Sequence, residues 1–560
     1  MLRLPGTGPR EGPPFRLRTI PRGEIVPTTG VLREKCLYDL NPAFTSDVDS
    51  GSMVAMSDTH SSNPSGGDTE KGGATATTTA PTDASHGFFG QPRSLANIFG
   101  VEMWERFSFY GMQGILLIYL YYSAAKGGLG IDQATAAGIV GAYGGAVYLS
   151  TILGAWLADR LFGSERVLFW SAVVIMAGHV SLAVLPSFAG VIVGLLFVAV
   201  GSGGLKANAT RIVGTLYDEH DSRRDAGFSL FYLGINLGAF FGPLLTGLLQ
   251  STLGFHWGFA LAAVGMAIGL IQYSLGRKRL PDLAREVPHP LPRKRLPLVI
   301  GIGVAGVIVI LALVLTGVIN AINLALWVIG ITIVAAIAYF VVILSSKLLS
   351  GTERSRIVAF IPLFITNAAF WSLYQQQFTV VTIYSDKRLD RMLFGWEFPV
   401  SWVQSINPIF IIILSGVFAA IWTKWGDRQP STPLKFAAGT VVMGLAFFLF
   451  LFWAGGGANS TPLLAMVGIL LVFTIAELLI SPVGLSASTK LAPHAFQAQM
   501  VALYFLSVAL GTAMSGQLAK LYSPATEGIY FGVIGAVAVV IGVVLAVLSP
   551  WVLRMMRGVR

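Results

Sequence analysis

Glu102, Glu105 and Arg106 stand inside one strongly apolar stretch, Lys206 inside a second and Glu477 inside a third. A charge near the middle of a membrane helix costs roughly 2.5–3.5 kcal/mol on insertion scales, so such residues line a polar pathway or pair with one another. At about 100° per residue, Glu102, Glu105, Arg106, Phe109, Tyr110 and Gln113 fall in one stripe of a helix. Glu102 and Arg106 have the i,i+4 spacing that lets opposite charges touch. Two acids beside one arginine leave a carboxylate over, and that carboxylate is free to take up and release a proton. Arg106 and Lys206 belong to the N-terminal helices and Glu477 to the C-terminal ones. A cleft between the two sets would carry cations on one wall and an anion on the other. A molecule with a carboxylate at one end and an ammonium at the other fits such a cleft, and a short extended peptide, at about 3.3–3.6 Å per residue, is one. A direct Lys206–Glu477 bridge closing the halves is the structural alternative.

The elements that must position these groups are membrane helices. The 560 residues are 54% hydrophobic and only 12% charged, where a soluble chain carries about a quarter charged residues. Apolar runs of about 20 residues, enough to cross a bilayer core, are read near 98–122, 133–158, 166–186, 188–210, 226–250 and 256–275. After a basic linker come 298–319, 323–346, 357–384, 400–423, 434–454, 462–488, 497–520 and 527–553. That is about fourteen, and an even number puts both termini on one side. Arg277, Lys278, Arg279, Arg293, Lys294 and Arg295 lie in the linker, and Arg160, Arg166, Arg223, Arg224, Lys347, Arg354, Arg356, Lys424, Arg428, Arg554, Arg557 and Arg560 fall on the same face. That face is expected to be cytoplasmic. Lys387, Arg388 and Arg391 break the pattern, with Asp386 and Asp390 beside them.

The division expected is a disordered cytoplasmic tail over 1–90, a six-helix bundle over 95–276, a basic linker over 277–297, two extra helices over 298–347 and a second six-helix bundle over 355–555. Ser57 to Ser85 is rich in Ser, Thr, Gly, Ala and Asp, a composition unable to form a core. Residues 1–87 hold no apolar run fit for a signal peptide, and Met53 or Met56 is an alternative start. The single cysteine, Cys36, allows neither an intrachain disulfide nor a cysteine metal site.

Gly154-Ala-Trp-Leu-Ala-Asp159-Arg160-Leu-Phe-Gly163-Ser-Glu-Arg166 resembles the cytoplasmic loop signature of the major facilitator superfamily. Physically, Asp159 and the arginines, Arg160 and Arg166, are expected to pair across helix ends and latch one face of the bundle, with Asp159 and Arg160 as a gating loop. Four further stretches are distinctive: Glu102-x-x-Glu105-Arg106-Phe107; Phe231-Tyr232-Leu233-Gly234-Ile235-Asn236-Leu237-Gly238; Trp402-Val-Gln404-Ser405-Ile-Asn407-Pro408; and Ser481-Pro482-Val-Gly484-Leu-Ser486 followed by Lys490-Leu-Ala-Pro493 and Phe496-Gln-Ala-Gln499-Met500. On these, residues 95–555 resemble the proton-dependent oligopeptide transporter family, whose bacterial members also carry two extra helices between the bundles.

The resemblance implies a major facilitator fold and proton-driven import of di- and tripeptides by alternating access, with no cofactor beyond the proton gradient. It implies that Glu102 and Glu105 bind the coupling proton, with Arg106 their partner and a contact for the peptide carboxylate, assisted by Lys206. Tyr110 and Asn236 would bond the peptide backbone, and Asn407 and Glu477 would hold its amino terminus. Tyr143 or Tyr148 adds a hydroxyl to the wall. Three positions depart from the family pattern and are expected around the same pocket: Gln113 where a second arginine is usual, Gln375 in Trp371-Ser-Leu-Tyr374-Gln375-Gln376 where a glutamate is usual, and Tyr504 where a tryptophan precedes Phe505. Lys206 then lacks its usual acidic partner and must find another. A same-fold transporter of a non-peptide organic anion or drug-like molecule is the alternative these losses leave open.

Other classes fit poorly. The net charge of +10 sits in connecting loops rather than on a nucleic-acid face. No Ser/His/Asp set or paired histidines suggest an enzyme. Gly201-Ser-Gly203-Gly204-Leu-Lys206 lacks the Lys-Ser/Thr ending of a phosphate loop and lies in an apolar helix. His179 stands alone. The expectation is a monomer in the cytoplasmic membrane, both termini inside, with peptides, protons and the bilayer as partners.

Overall fold

The computed structural model describes residues 87–218 and 221–559. Cys36, Met53, Met56, Ser57–Ser85 and Arg560 therefore lie outside the described residues. Six long helices come first: α1 (Arg93–Tyr121), α2 (Gln133–Leu157), α3 (Ser164–Val184), α4 (Phe188–Gly214), α5 (Arg224–Leu253) and α6 (Phe255–Gly276). A hairpin of α7 (Leu296–Leu315) and α8 (Leu324–Ser345) follows. Then come α9 (Gly351–Tyr374), the short α10 (Val380–Lys387), α11 (Ile406–Trp425), α12 (Thr432–Leu449), α13 (Leu463–Lys490), α14 (Gln497–Ala519) and α15 (Glu527–Met555). Thirteen helical segments among the described residues are long and apolar enough to cross a membrane. The 29-residue α1 is long enough to be a fourteenth, its hydropathy lowered by Glu102, Glu105, Arg106 and Gln113.

Local sequence sets the ends. Asp132 caps α2 by accepting from the Thr135 amide at 3.0 Å. Ser350 and Glu353 form a reciprocal capping box at the start of α9, satisfying amide donors a helix leaves orphaned. The expected single helix over 357–384 is broken. A tight turn over Gln375–Phe378 follows α9, and Thr379 leaves the helical region at φ −124°, ψ −90°. The run Thr379-Val380-Val381-Thr382 is β-branched and helix-poor, and the Thr382 hydroxyl takes the freed Gln377 carbonyl at 2.9 Å. The segment 400–405 is likewise a tight turn preceding α11. Between them sits a small hairpin, Met392–Leu393 against Trp396–Glu397, whose turn places Phe394 and Gly395 at positive φ.

In the first set of helices α1 packs on α5 and α6, α3 on α4 and α6, and α2 on α4; in the last set α12 packs on α13 and α15, and α14 on α9. The sets meet where α2 packs on α14 and where α5 meets α11 and residues 400–405. α8 lies on α2 and α14, whereas α7 has no buried residue. Lipid tails are as apolar as leucine, so close approach through small residues has to hold such helices together. A Cβ on Gly141 would stand 2.5 Å from the Gly516 Cα across the α2–α14 contact. Gly141→Val is accordingly expected to destabilise the protein by about 1–3 kcal/mol, the usual range for overpacking, read as earlier unfolding of the purified protein on heating.

One end of the molecule, that of the α1–α2 loop, gathers side-chain bonds between the two sets. Tyr121, the last residue of α1, and Tyr122 just after it donate to the Asp386 carboxylate on α10 at 2.6 and 2.5 Å. Lys387 donates to Gln133. Around Pro243 of α5, the carbonyls of Phe240, Pro243 and Leu244 accept from Ser405, Ser401 and Trp402 at 2.8–2.9 Å. The bare Gly247 makes this possible, since a Cβ there would stand 1.8 Å from the Ser401 hydroxyl.

Candidate functional site

Between the sets lies a cavity of about 170 Å³, lined by side chains of both. The first set contributes Phe109, Tyr110, Gln113, Tyr148, Tyr232 and Asn236 to its wall, and the last set Trp371, Tyr374, Gln375, Gln404, Asn407, Glu477 and Ser481. Six residues singled out from sequence thus line one space: Tyr110, Gln113, Asn236, Gln375, Asn407 and Glu477. Of the two tyrosines left open, Tyr148 lines the wall. Tyr143 instead stacks on Phe109 with its hydroxyl buried and unbonded.

On α13, Glu477 Oε2 accepts from Asn407 Nδ2 at 3.3 Å. The same amide nitrogen donates to the Thr474 hydroxyl at 2.9 Å, and the Asn407 carbonyl oxygen accepts from Tyr374 at 3.2 Å. Three helices therefore fix one carboxylate at the cavity edge. On the opposite side the acids of α1 are sealed: Glu105 is 0% exposed, Glu102 2% and Arg106 5%. Arg106 donates twice to Glu102 Oε1, from Nε at 2.8 Å and Nη2 at 2.6 Å. Its Nε lies farther from Glu105 Oε2, at 3.3 Å. The other oxygen, Glu105 Oε1, accepts from the Ser202 hydroxyl of α4 at 2.8 Å. Glu102 Oε2 and Glu105 Oε2 are both buried without a hydrogen-bond partner. A carboxylic acid in this setting would bury one charge fewer, so the arrangement is chemically suited to holding a proton.

Arg106, Lys206 and Tyr504 do not line the wall. The Lys206 ammonium lies 4.6 Å from the Phe109 ring centroid and 4.9 Å from that of Tyr148, one aromatic layer behind the cavity. Cation–π contact with both rings takes the place of the acidic partner expected for it. The Lys206–Glu477 bridge is not formed among the described residues. Tyr504 is turned away, its hydroxyl donating to the Ser481 carbonyl at 3.3 Å and its ring against Gly484. Ser202 was not singled out from sequence, although its i,i+4 spacing from Lys206 puts it on the same face of α4.

At the other end, Asp159 pairs across helix ends, but with Arg211 of α4 rather than with Arg160 or Arg166. Glu165 makes a fork with Arg277 at 2.6 and 3.0 Å. Arg160 instead reaches the His289 carbonyl at 3.5 Å, and the backbone of 159–160 accepts from His289 and Leu291 of the linker. Residues 158–162 form a widened helical turn before Gly163, so Asp159 faces α4 rather than its neighbours in sequence.

Comparison with known proteins bears on these features. A model of the POT family matches residues 165–537. The uncharacterized transporter YclF of Bacillus subtilis (strain 168) is 44% identical over 479 residues, covering 84% of this chain and 96% of the relative. The di-/tripeptide transporter of Lactococcus lactis subsp. cremoris is 40% identical over 84% of this chain and 98% of its own length. A crystal structure of the peptide transporter POT in complex with sulfate superposes with a TM-score of 0.81 at 43% identity, covering 84% of this chain and 97% of that one. With two helical sets around a polar cavity, two extra helices between them and this likeness, the chain has the major facilitator fold and belongs to the POT family, the proton-dependent oligopeptide transporters.

Proposed function

We propose that this protein is a proton-coupled symporter that imports di- and tripeptides across the cytoplasmic membrane by alternating access. The observation carrying this reading is a cavity with the Glu477 carboxylate on one wall and the Arg106–Lys206 cations behind the other, beside two sealed acids. The peptide ammonium goes to Glu477 and Asn407, its backbone to Tyr110 and Asn236, and its carboxylate to Arg106 and Lys206. Outside, a proton on Glu102 or Glu105 frees Arg106 for the peptide carboxylate, and the halves 95–276 and 355–555 then rock about the loaded site. The basic loops put the 277–297 linker and both termini in the cytoplasm. The end closed by Asp386, Ser401, Trp402 and Ser405 is then the outer one. The protein acts as a monomer, without a cofactor, and as a carrier rather than an enzyme.

Purified protein in liposomes with an inside-negative potential and an acidic exterior is expected to accumulate labelled dialanine and trialanine but not tetraalanine. Equal, gradient-independent equilibration of all three would sink the reading. A second reading, an organic anion or drug-like substrate, draws on the neutral Gln113 and Gln375 in the wall and on Gln113 Oε1, buried without a partner. Under it, excess dialanine leaves uptake of the labelled non-peptide unchanged.

A further inference from the structure

A second cavity, of about 350 Å³, opens on the outer, membrane-facing side of the first helical set among α2, α3 and α4. α3 packs extensively on α4 and α6 but hardly on α2, so a crevice runs between α2 and α3 with α4 as its floor. Its sides are Leu153 and Leu157 of α2 and Trp170 and Val174 of α3. The floor is Val200, 42% exposed, with Gly201 and Gly204 beside it, where α4 comes close under Ser171 and Ile175 of α3. Leu153 and Trp170 are 49% and 63% exposed, open to whatever lies alongside. From Arg166 to Val174 the crevice follows α3 for about 12 Å.

Its mouth is cationic. Arg166, exposed in the first turn of α3, lines it. The neighbouring acids are already neutralised, Glu165 by Arg277 and Asp159 by Arg211. The backbone bonds from residues 289 and 291 to Asp159 and Arg160 hold the linker here, and Arg293, Lys294 and Arg295 follow directly. An apolar slot with a cationic rim at one end has the polarity of one lipid molecule.

We infer that this crevice is a binding site for an anionic glycerophospholipid, one acyl chain lying between α2 and α3 and the phosphate at Arg166. The floor is the back of the α4 turn whose front carries Ser202, the partner of Glu105. An occupant would therefore brace the helix that holds the proton site. The inference does not rest on the peptide reading and survives its failure.

Native mass spectrometry of the full-length protein, offered phosphatidylglycerol or phosphatidylcholine of identical chains, tests it. The parent is expected to retain phosphatidylglycerol preferentially. Arg166→Gln should lower that retention about fivefold, the contribution of one basic residue near an anionic phase, and leave phosphatidylcholine unchanged. Val174→Trp, which fills the slot, should reduce both lipids. Arg354→Gln, an exposed arginine at the same end but outside the crevice, should alter neither. Equal retention of the two lipids by the parent, undiminished phosphatidylglycerol on Arg166→Gln, or a protein dimer occupying the crevice would each overturn the assignment.

Discussion

Replacing Glu105 by glutamine is expected to abolish accumulation of dipeptide against its gradient while leaving counterflow exchange near the parent rate. Each proton entering with a neutral zwitterionic peptide yields about 2.3 kcal/mol per 100 mV of membrane potential. That corresponds to roughly 50-fold accumulation for one proton, before any pH gradient is added. Glutamine keeps the shape of a protonated glutamate, and its amide oxygen can still accept from Ser202 as Glu105 does at 2.8 Å. The site is then held in the proton-loaded form, with Arg106 facing Glu102 alone. Loading and rocking persist, but no proton is released inside, so uptake stops at equal concentrations on the two sides. Measured in energised vesicles, the variant should fall from tens-fold accumulation to a ratio near one, with exchange of labelled for unlabelled peptide retained. Continued concentration by the variant would remove Glu105 from the coupling step.

Much of this arrangement is legible in the sequence because membrane insertion makes charge conspicuous. Glu102, Glu105, Arg106, Lys206 and Glu477 stand out against apolar runs, and helical spacing alone places Tyr110 and Gln113 on the stripe of Arg106. Both residues line the cavity. Partners from distant segments are harder to read. Nothing local to Asp159 points to Arg211, 52 residues on, and nothing local to Lys206 reveals the rings of Phe109 and Tyr148. The break at Thr379 is hidden for a related reason. Hydropathy over 357–384 is the same for one helix as for two pieces, and the pieces differ only in where the Gln377 carbonyl finds its donor. Tyr504 shows the limit of motif reasoning, since its position in the pattern is right while its hydroxyl is turned to Ser481.

The opposing wall allows a sharper test, because it separates a residue that reads the peptide from one that merely shapes the cavity. Glu477→Gln is isosteric and keeps an oxygen for Asn407 Nδ2, so the bonds joining α11, α13 and Tyr374 should survive. Only the negative charge is lost. Removing one partner of a desolvated charge pair costs about 2–5 kcal/mol, so dialanine affinity should fall by about 30-fold or more. N-acetyl-dialanine has no ammonium to pair with and should bind the parent weakly and the variant about as weakly. The preference for a free amino terminus should therefore collapse in the variant, while the penalty for esterifying the carboxyl end stays unchanged. If both ligands lose affinity alike, Glu477 supports the wall through Asn407 and the ammonium is bound elsewhere. If neither changes, the peptide lies outside this cavity, and the placing of Glu477 opposite the distant Arg106 and Lys206 has no bearing on cargo.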